Sequence, residues 1–286
     1  MMSMPVLPNS YLPLQVSMAL LLVALGVVGL LHASDTAWIY LGLGLFALVV
    51  TIIKWFSVII HDAKTILNGN ATFDDAMRNG MIWFIFTEVM FFAGLFGVLF
   101  YIRLWALPQL GGMVESKIMT HTLLWPRFEA AWPLISSPDQ TVMNIKPVGI
   151  MGIPAFNTLV LLLSGLTITV SHHALKHADY IRSARWLLST IVLGSIFLCL
   201  QGIEYQHAFT QGLTFQSSIY GNIFYFMTGF HGLHVFLGTV FLIAIYRRLI
   251  NGELSPESHF GFEASAWYWH FVDVVWLMLF VFVYWI

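Results

Sequence analysis

Charge is what this sequence has least of. Asp, Glu, Lys and Arg make up 9% of its 286 residues, against 59% hydrophobic residues, so a soluble globule of this length would lack the polar surface to cover itself. The net charge of −2 excludes a global field that would gather nucleic acid or an acidic partner. Cysteine is scarcer still. Cys199 stands alone, which excludes an intrachain disulfide and a thiolate metal cluster. The first residues, MMSMPVLPNSYLPLQVS, lack the basic stretch of a secretory signal, and no cleaved leader is expected.

What is present is long apolar runs. A helix needs about 20 apolar residues to cross roughly 30 Å of hydrocarbon, and seven runs qualify, near 15–32, 37–60, 80–104, 153–174, 186–208, 220–246 and 264–285. With a mean hydropathy of +0.82, the expected fold is an all-α integral membrane protein of seven transmembrane helices, a single membrane domain from 1 to 286. Positive residues in short loops stay on the cytoplasmic side. Lys64 and Arg78 follow span two, Lys176, Arg182 and Arg185 follow span four, and Arg247 and Arg248 follow span six, whereas 33–36 and 209–219 carry no Lys or Arg. This places the amino terminus in the cytoplasm and the carboxyl terminus outside.

One connection is long, from about 105 to 152, rich in Pro and Gly, with Lys117, Arg127 and Lys146 on the outer side. Long loops translocate regardless of charge. It reads as an ordered external cap or docking loop.

Polar groups inside the spans are the candidates for chemistry, because a charge at a helix centre costs at least about 2.5–3.5 kcal/mol. Glu88 lies about 12 Å into span three at 1.5 Å per residue, among Phe84, Phe91, Phe92 and Leu95. It is expected to keep its proton or find a partner. A proton-relay carboxylate and an acid hydrogen-bonded to a neighbouring helix both stay open. In span six His231 and His234 share a face with Gly238, and interhelical hydrogen bonding is favoured over metal binding, since no Glu stands between them as in a zincin helix. In span seven His270 and Asp273 are neighbours at i and i+3 and can pair. Axial haem ligation by His231, His234 or His270 is the minor alternative.

Two interfacial groups complete the set. His172, His173 and His177, with Asp179, lie at the inner end of span four, and imidazoles there suit a proton collector as well as a solvated helix end. Arg247 and Arg248 end span six at headgroup depth. They can hold a phosphate or snorkel, and Lys54 and Trp55 near the inner end of span two can complete a lipid site or join an interfacial belt. Gln201, Glu204 and His207 form a polar set toward the outer end of span five, with no chemistry specified.

TGFHGLHVFLG from Thr228, HFGFEASAWYWHFVDVVWLMLFVFVYW from His259, TEVMFFAG from Thr87 and NTLVLLLSGLTITVSHHAL from Asn157 together resemble subunit III of cytochrome c oxidase, in order and from span two onward. The resemblance implies a V-shaped arrangement, with helices one and two (about 15–60) set against helices three to seven (about 80–285) and phospholipid in the cleft between them. It implies a chain with no redox centre or metal of its own. Haems and copper belong to partner subunits I and II, subunit I being the main contact, in a complex that reduces oxygen with electrons from cytochrome c and pumps protons. It further implies that Glu88 is the family's carbodiimide-reactive buried glutamate, that Arg248 is its lipid-phosphate arginine, and that His231, His234, Glu263, His270 and Asp273 hold recurrent intramembrane polar positions. Support of proton uptake and protection from turnover inactivation are the expected roles, and the inner histidines would suit the first.

The sequence departs from that pattern in two places. KWFSV from Lys54 replaces paired Trp followed by Arg and Asp, and GLFGVLFYIRL from Gly94 replaces the usual FFWAFYHSSL. The long outer connection favours a bacterial plasma membrane over a mitochondrial one. Competing readings are a quinol oxidase subunit, usually of five spans, and a proton-coupled transporter using Glu88 and Asp273, against which stands the lack of inverted repeats with broken helices.

Overall fold

The computed structural model describes residues 10–65, 71–135 and 148–285. Lys146 and the side chain of Lys64, used above for orientation, lie outside the description. In chain order the helices are α1 (Leu12–Leu31), α2 (Ala37–Thr65), α3 (Ala71–Tyr101), α4 (Leu107–Leu110), α5 (Ile118–Leu124), α6 (Ile153–Lys176), α7 (Tyr180–Thr210), α8 (Ile219–Ile250) and α9 (Phe260–Leu279). Among the described residues seven stretches are long and apolar enough to cross a membrane, in the order and near the positions expected. No strand occurs among the described residues.

The chain forms two compact units that divide at Met77 and Arg78. In the first, α1 and α2 are an antiparallel pair whose backbones touch through glycine. A Cβ on Gly26 would lie 2.5 Å from the Leu41 backbone nitrogen, and one on Gly44 would lie 2.6 Å from that of Val23. Small residues are what let helices approach this closely where lipid supplies no hydrophobic drive.

The second unit starts inside α3, and α9 is its centre. The most apolar stretch of α9 is 56% buried, against 11% for α1. Two tryptophans one heptad apart fasten it to α6, Trp269 Nε1 donating to Ser164 Oγ at 2.9 Å and Trp276 Nε1 to Thr158 Oγ1 at 3.0 Å. An indole N–H finds a partner when its ring is buried, and these two find theirs on one face. α6 and α7 pair through small polar side chains, with Ser171 Oγ donating to the Ser183 carbonyl at 2.7 Å and Thr167 Oγ1 2.8 Å from Thr190 Oγ1. The start of α7 is capped by Asp179, which accepts from Arg182 N, and that of α8 by Ser218, which accepts from Gly221 N, satisfying helix-end amides.

The connection between the third and fourth spans corrects the sequence reading. The third span does not stop at 104. It passes through a π-helical turn, Ile102–Ala106, into α4 and ends at Leu110. Pro108 has no N–H for the carbonyl four residues back, and the helix widens just before it. Beyond it a 3₁₀ turn, Glu115–Lys117, and α5 follow, and Leu107, Phe128 and Leu134 form a small core of their own. The segment is tied to the bundle by Tyr220 N donating to the Leu134 carbonyl at 3.3 Å and by Trp132 edge-on to the Tyr220 ring. It is Trp132 and Leu134, at the end of this described stretch, that meet the bundle.

A second π turn, Phe280–Trp285, ends the last span. Its wider winding takes Tyr284 off the stripe of His270 and Asp273, where a regular helix would have put it.

Candidate functional site

α3 and α8 bring Glu88 and His234 together, with Oε2 2.8 Å from Nε2. The histidine's other nitrogen, Nδ1, is 2.6 Å from the Phe230 carbonyl, which can only accept, so Nδ1 carries a hydrogen. The Nε2···Oε2 contact therefore holds one shared proton, on the carboxyl in the neutral pair or on the imidazole in the ionic one. Phe91, Phe92 and Tyr268 wall the imidazole, their ring centroids 5.0–6.4 Å away. The acid that the sequence placed alone in hydrocarbon has its partner on another helix.

His231, one turn earlier on α8, belongs elsewhere. Its ring stacks on Trp276 at 5.2 Å and meets the edge of Phe197, and neither nitrogen has a hydrogen-bond partner among the described residues. The interhelical hydrogen bond expected of both histidines is made by His234 and not by His231, because residues three apart diverge by about 60° on a helix with 3.6 residues per turn.

On α9, His270 Nδ1 faces Asp273 Oδ2 at 3.7 Å. Thr169 Oγ1 donates to the Gly165 carbonyl and lies 3.3 Å from His270 Nε2, so the imidazole is the donor in that contact. The Asp273 carboxylate rests directly over Gly165, where a Cβ would collide with it. The aspartate is buried and the imidazole exposed.

Glu263 sits apart from all three histidines. Arg78 Nη1 donates to its Oε1 at 2.7 Å, and Nη2 lies 2.7 Å from Oε2, while the guanidinium also covers the Phe260 ring. The positions His231, His234, Glu263, His270 and Asp273 are not one polar network. They lie in four separate places on α8 and α9. Arg78, which the sequence offered only as an orientation signal, is the missing partner.

The histidines at the end of α6 also separate. His172 stacks on Phe262 and lies 5.3 Å from the His259 ring, with its Nε2 buried and unpartnered in the protein. His173 and His177, one turn apart, are exposed, with ring centroids 4.5 Å apart. Adjacent helical residues point in different directions, and the latter two are the exposed pair while His172 is half-buried. Arg248 turns toward the α8–α9 loop, its Nε 3.3 Å from Glu253 Oε2, and Arg247 is exposed. Lys54 and Trp55, exposed and half-buried, belong to the first unit.

Sequence reasoning missed one further pair. Tyr284 Oη donates to Glu204 Oε1 at 2.7 Å, joining α9's terminal turn to α7, and Tyr205 Oη lies 2.7 Å from Thr228 Oγ1 beside it. The π turn that aims Tyr284 has no signature in the hydrophobic pattern. Among the described residues no group of three or more His, Cys, Asp and Glu is placed to hold a metal ion.

The family model for cytochrome c oxidase subunit III matches residues 3–122 and 113–286. The chain belongs to the cytochrome c oxidase subunit III family. Cytochrome c oxidase subunit 3 of Lycodon semicarinatus is 38% identical over 273 residues, which is 96% of this chain and 93% of the relative. Those of Tragelaphus imberbis and Scyliorhinus canicula are each 37% identical over the same shares. The subunit III match takes in the α1–α2 unit as well as the five-span unit, so the divergent KWFSV segment is a variation inside the family. The relatives named are animal proteins.

Proposed function

We propose that the chain is the non-redox third subunit of an aerobic cytochrome c oxidase, a multi-pass membrane protein of a proton-pumping complex. The observation that carries this reading is the family match across both units, joined to seven helices of membrane length in the family's order. In this reading subunits I and II carry the haems and copper, subunit I is the main contact, and cytochrome c supplies electrons to the complex. This chain contributes assembly, lipid binding and proton supply.

The residues support those roles in distinct ways. The Glu88–His234 contact holds one proton between two helices and is the proton-active group we assign. His173 and His177, exposed at the inner end of α6, are the proton-collecting pair, with His172 packed behind them as a structural element. Arg247 and Arg248 are assigned to a phospholipid phosphate, with Lys54 and Trp55 assigned to lipid contact in the first unit. His270, through Thr169, ties α9 to α6, and Arg78–Glu263 ties it to α3. The charge asymmetry of the short loops supports a cytoplasmic amino terminus and an external carboxyl terminus. The length of the connection between the third and fourth spans supports a bacterial plasma membrane.

The test is purification in mild detergent through a tag on this chain, followed by a haem spectrum, subunit mass analysis and oxygen uptake with cytochrome c. Co-purified haem and copper subunits with oxidase activity are the expected result. A haem-free chain that is intact alone and active in proton-coupled transport would overturn the reading.

A further inference from the structure

Four buried side chains near the outer ends of α6, α7 and α8 leave polar atoms that the protein does not satisfy. They are Asn157 Oδ1, both amide atoms of Gln201, Glu204 Oε2 and both ring nitrogens of His231. None of the four residues is more than 5% exposed. Buried polar groups in native proteins find partners, and six such atoms in one region call for a ligand that can donate and accept.

The four residues are linked through shared neighbours. Gln201 and Glu204 are one turn apart on α7, and Phe197 is one turn before Gln201. Asn157 Nδ2 donates to the Phe197 carbonyl at 3.4 Å, and the Phe197 ring meets both His231 and Trp276. Trp276 stacks on His231 and lies 5.9 Å from Tyr284, whose hydroxyl is already given to Glu204 Oε1. The Gln201 amide approaches that same hydroxyl without closing a well-formed hydrogen bond.

We propose that Asn157, Gln201, Glu204 and His231 form an internal water-binding site, walled by Phe197 and Trp276 and closed by Tyr284. Its ligand is a small cluster of ordered water bridging His231 to Gln201 and Glu204. Water fits the chemistry of the set. A neutral imidazole presents one donor and one acceptor, a primary amide presents both, and the free carboxyl oxygen is an acceptor. A buried water typically makes about three hydrogen bonds to such groups. A metal cation fits poorly, since the set offers one carboxyl and one imidazole with amides. The site lies apart from Glu88–His234, which is self-satisfied, and it does not depend on the proton-supply role.

The test is a structure of the intact oxidase, this chain in place, in a map that shows ordered water. The expected result is solvent density within hydrogen-bond reach of Glu204 Oε2 and of a His231 nitrogen. In the His231→Phe oxidase the density beside the ring is lost and that at Glu204 remains. If that variant does not assemble, Gln201→Leu serves in its place and loses the bridging density. A wild-type map with only carbon around these atoms, or with Gln201 turned to bond His231 and Glu204 directly, would overturn the proposal. So would a full set of waters retained in His231→Phe.

Discussion

Glu88 and His234, 146 residues apart in the chain, meet at 2.8 Å and share one proton between α3 and α8. The contact does two things at once. It removes the cost of a lone acid in an apolar span, and it joins the helix that opens the second unit to one from its middle. Replacing Glu88 with Gln keeps a side chain that can donate to the imidazole, so assembly should persist while carbodiimide labelling of the chain disappears. His234→Ala leaves the acid without its partner and should cost about 1–3 kcal/mol. Thermal release of this chain from the purified oxidase measures both. Equal, small effects from the two changes would argue against a shared proton.

Arg78 and Glu263 should behave as a coupled pair. Removing either leaves a charged group at the packed start of α9, and each single change to Met is expected to cost about 1–3 kcal/mol. The double change should cost less than the sum of the two. A double-mutant cycle on the same release temperature reads the coupling, and strict additivity would show that the pair adds nothing.

Gly165 makes the His270–Asp273 contact possible. Gly165→Ala puts a methyl into the Asp273 carboxylate, and overpacking of this kind typically costs about 1–3 kcal/mol. Gly202 on α7 is the control, because a Cβ there meets nothing within 4 Å and Ala is a better helix former than Gly by about 0.8–1 kcal/mol. The first variant should be destabilised and the second neutral or stabilised. The reverse order would contradict the packing.

The histidines at the end of α6 should divide by exposure. Loss of His173 and His177 together should slow proton uptake in single-turnover measurements while leaving the release temperature unchanged. His172→Ala, which empties the space against Phe262 and His259, should lower the release temperature. A slowed uptake in His172→Ala alone would place the collecting group on His172.

Arg248→Ala should lower the phospholipid phosphorus retained through detergent purification and shorten the lifetime of the turning-over enzyme. Unchanged lipid content would leave Arg248 as a partner of Glu253 alone.

Much of the molecule was legible in its sequence. The seven spans, their order and the position of each polar residue along a helix follow from the cost of burying charge and backbone in hydrocarbon, and that cost is written residue by residue. Pairing within one helix was legible for the same reason, as with His270 and Asp273. Only the tertiary structure decided which helix each polar face meets. It set Glu88 against His234 and Glu263 against Arg78, left His231 with aromatic neighbours, and turned His172 away from His173. A span's hydropathy is the same whichever neighbour it packs against, so partners across helices leave no periodic trace. Tyr284 is the clearest case. Its place in the last span was plain, but its reach to Glu204 comes with a π turn that leaves no mark in the hydrophobic pattern.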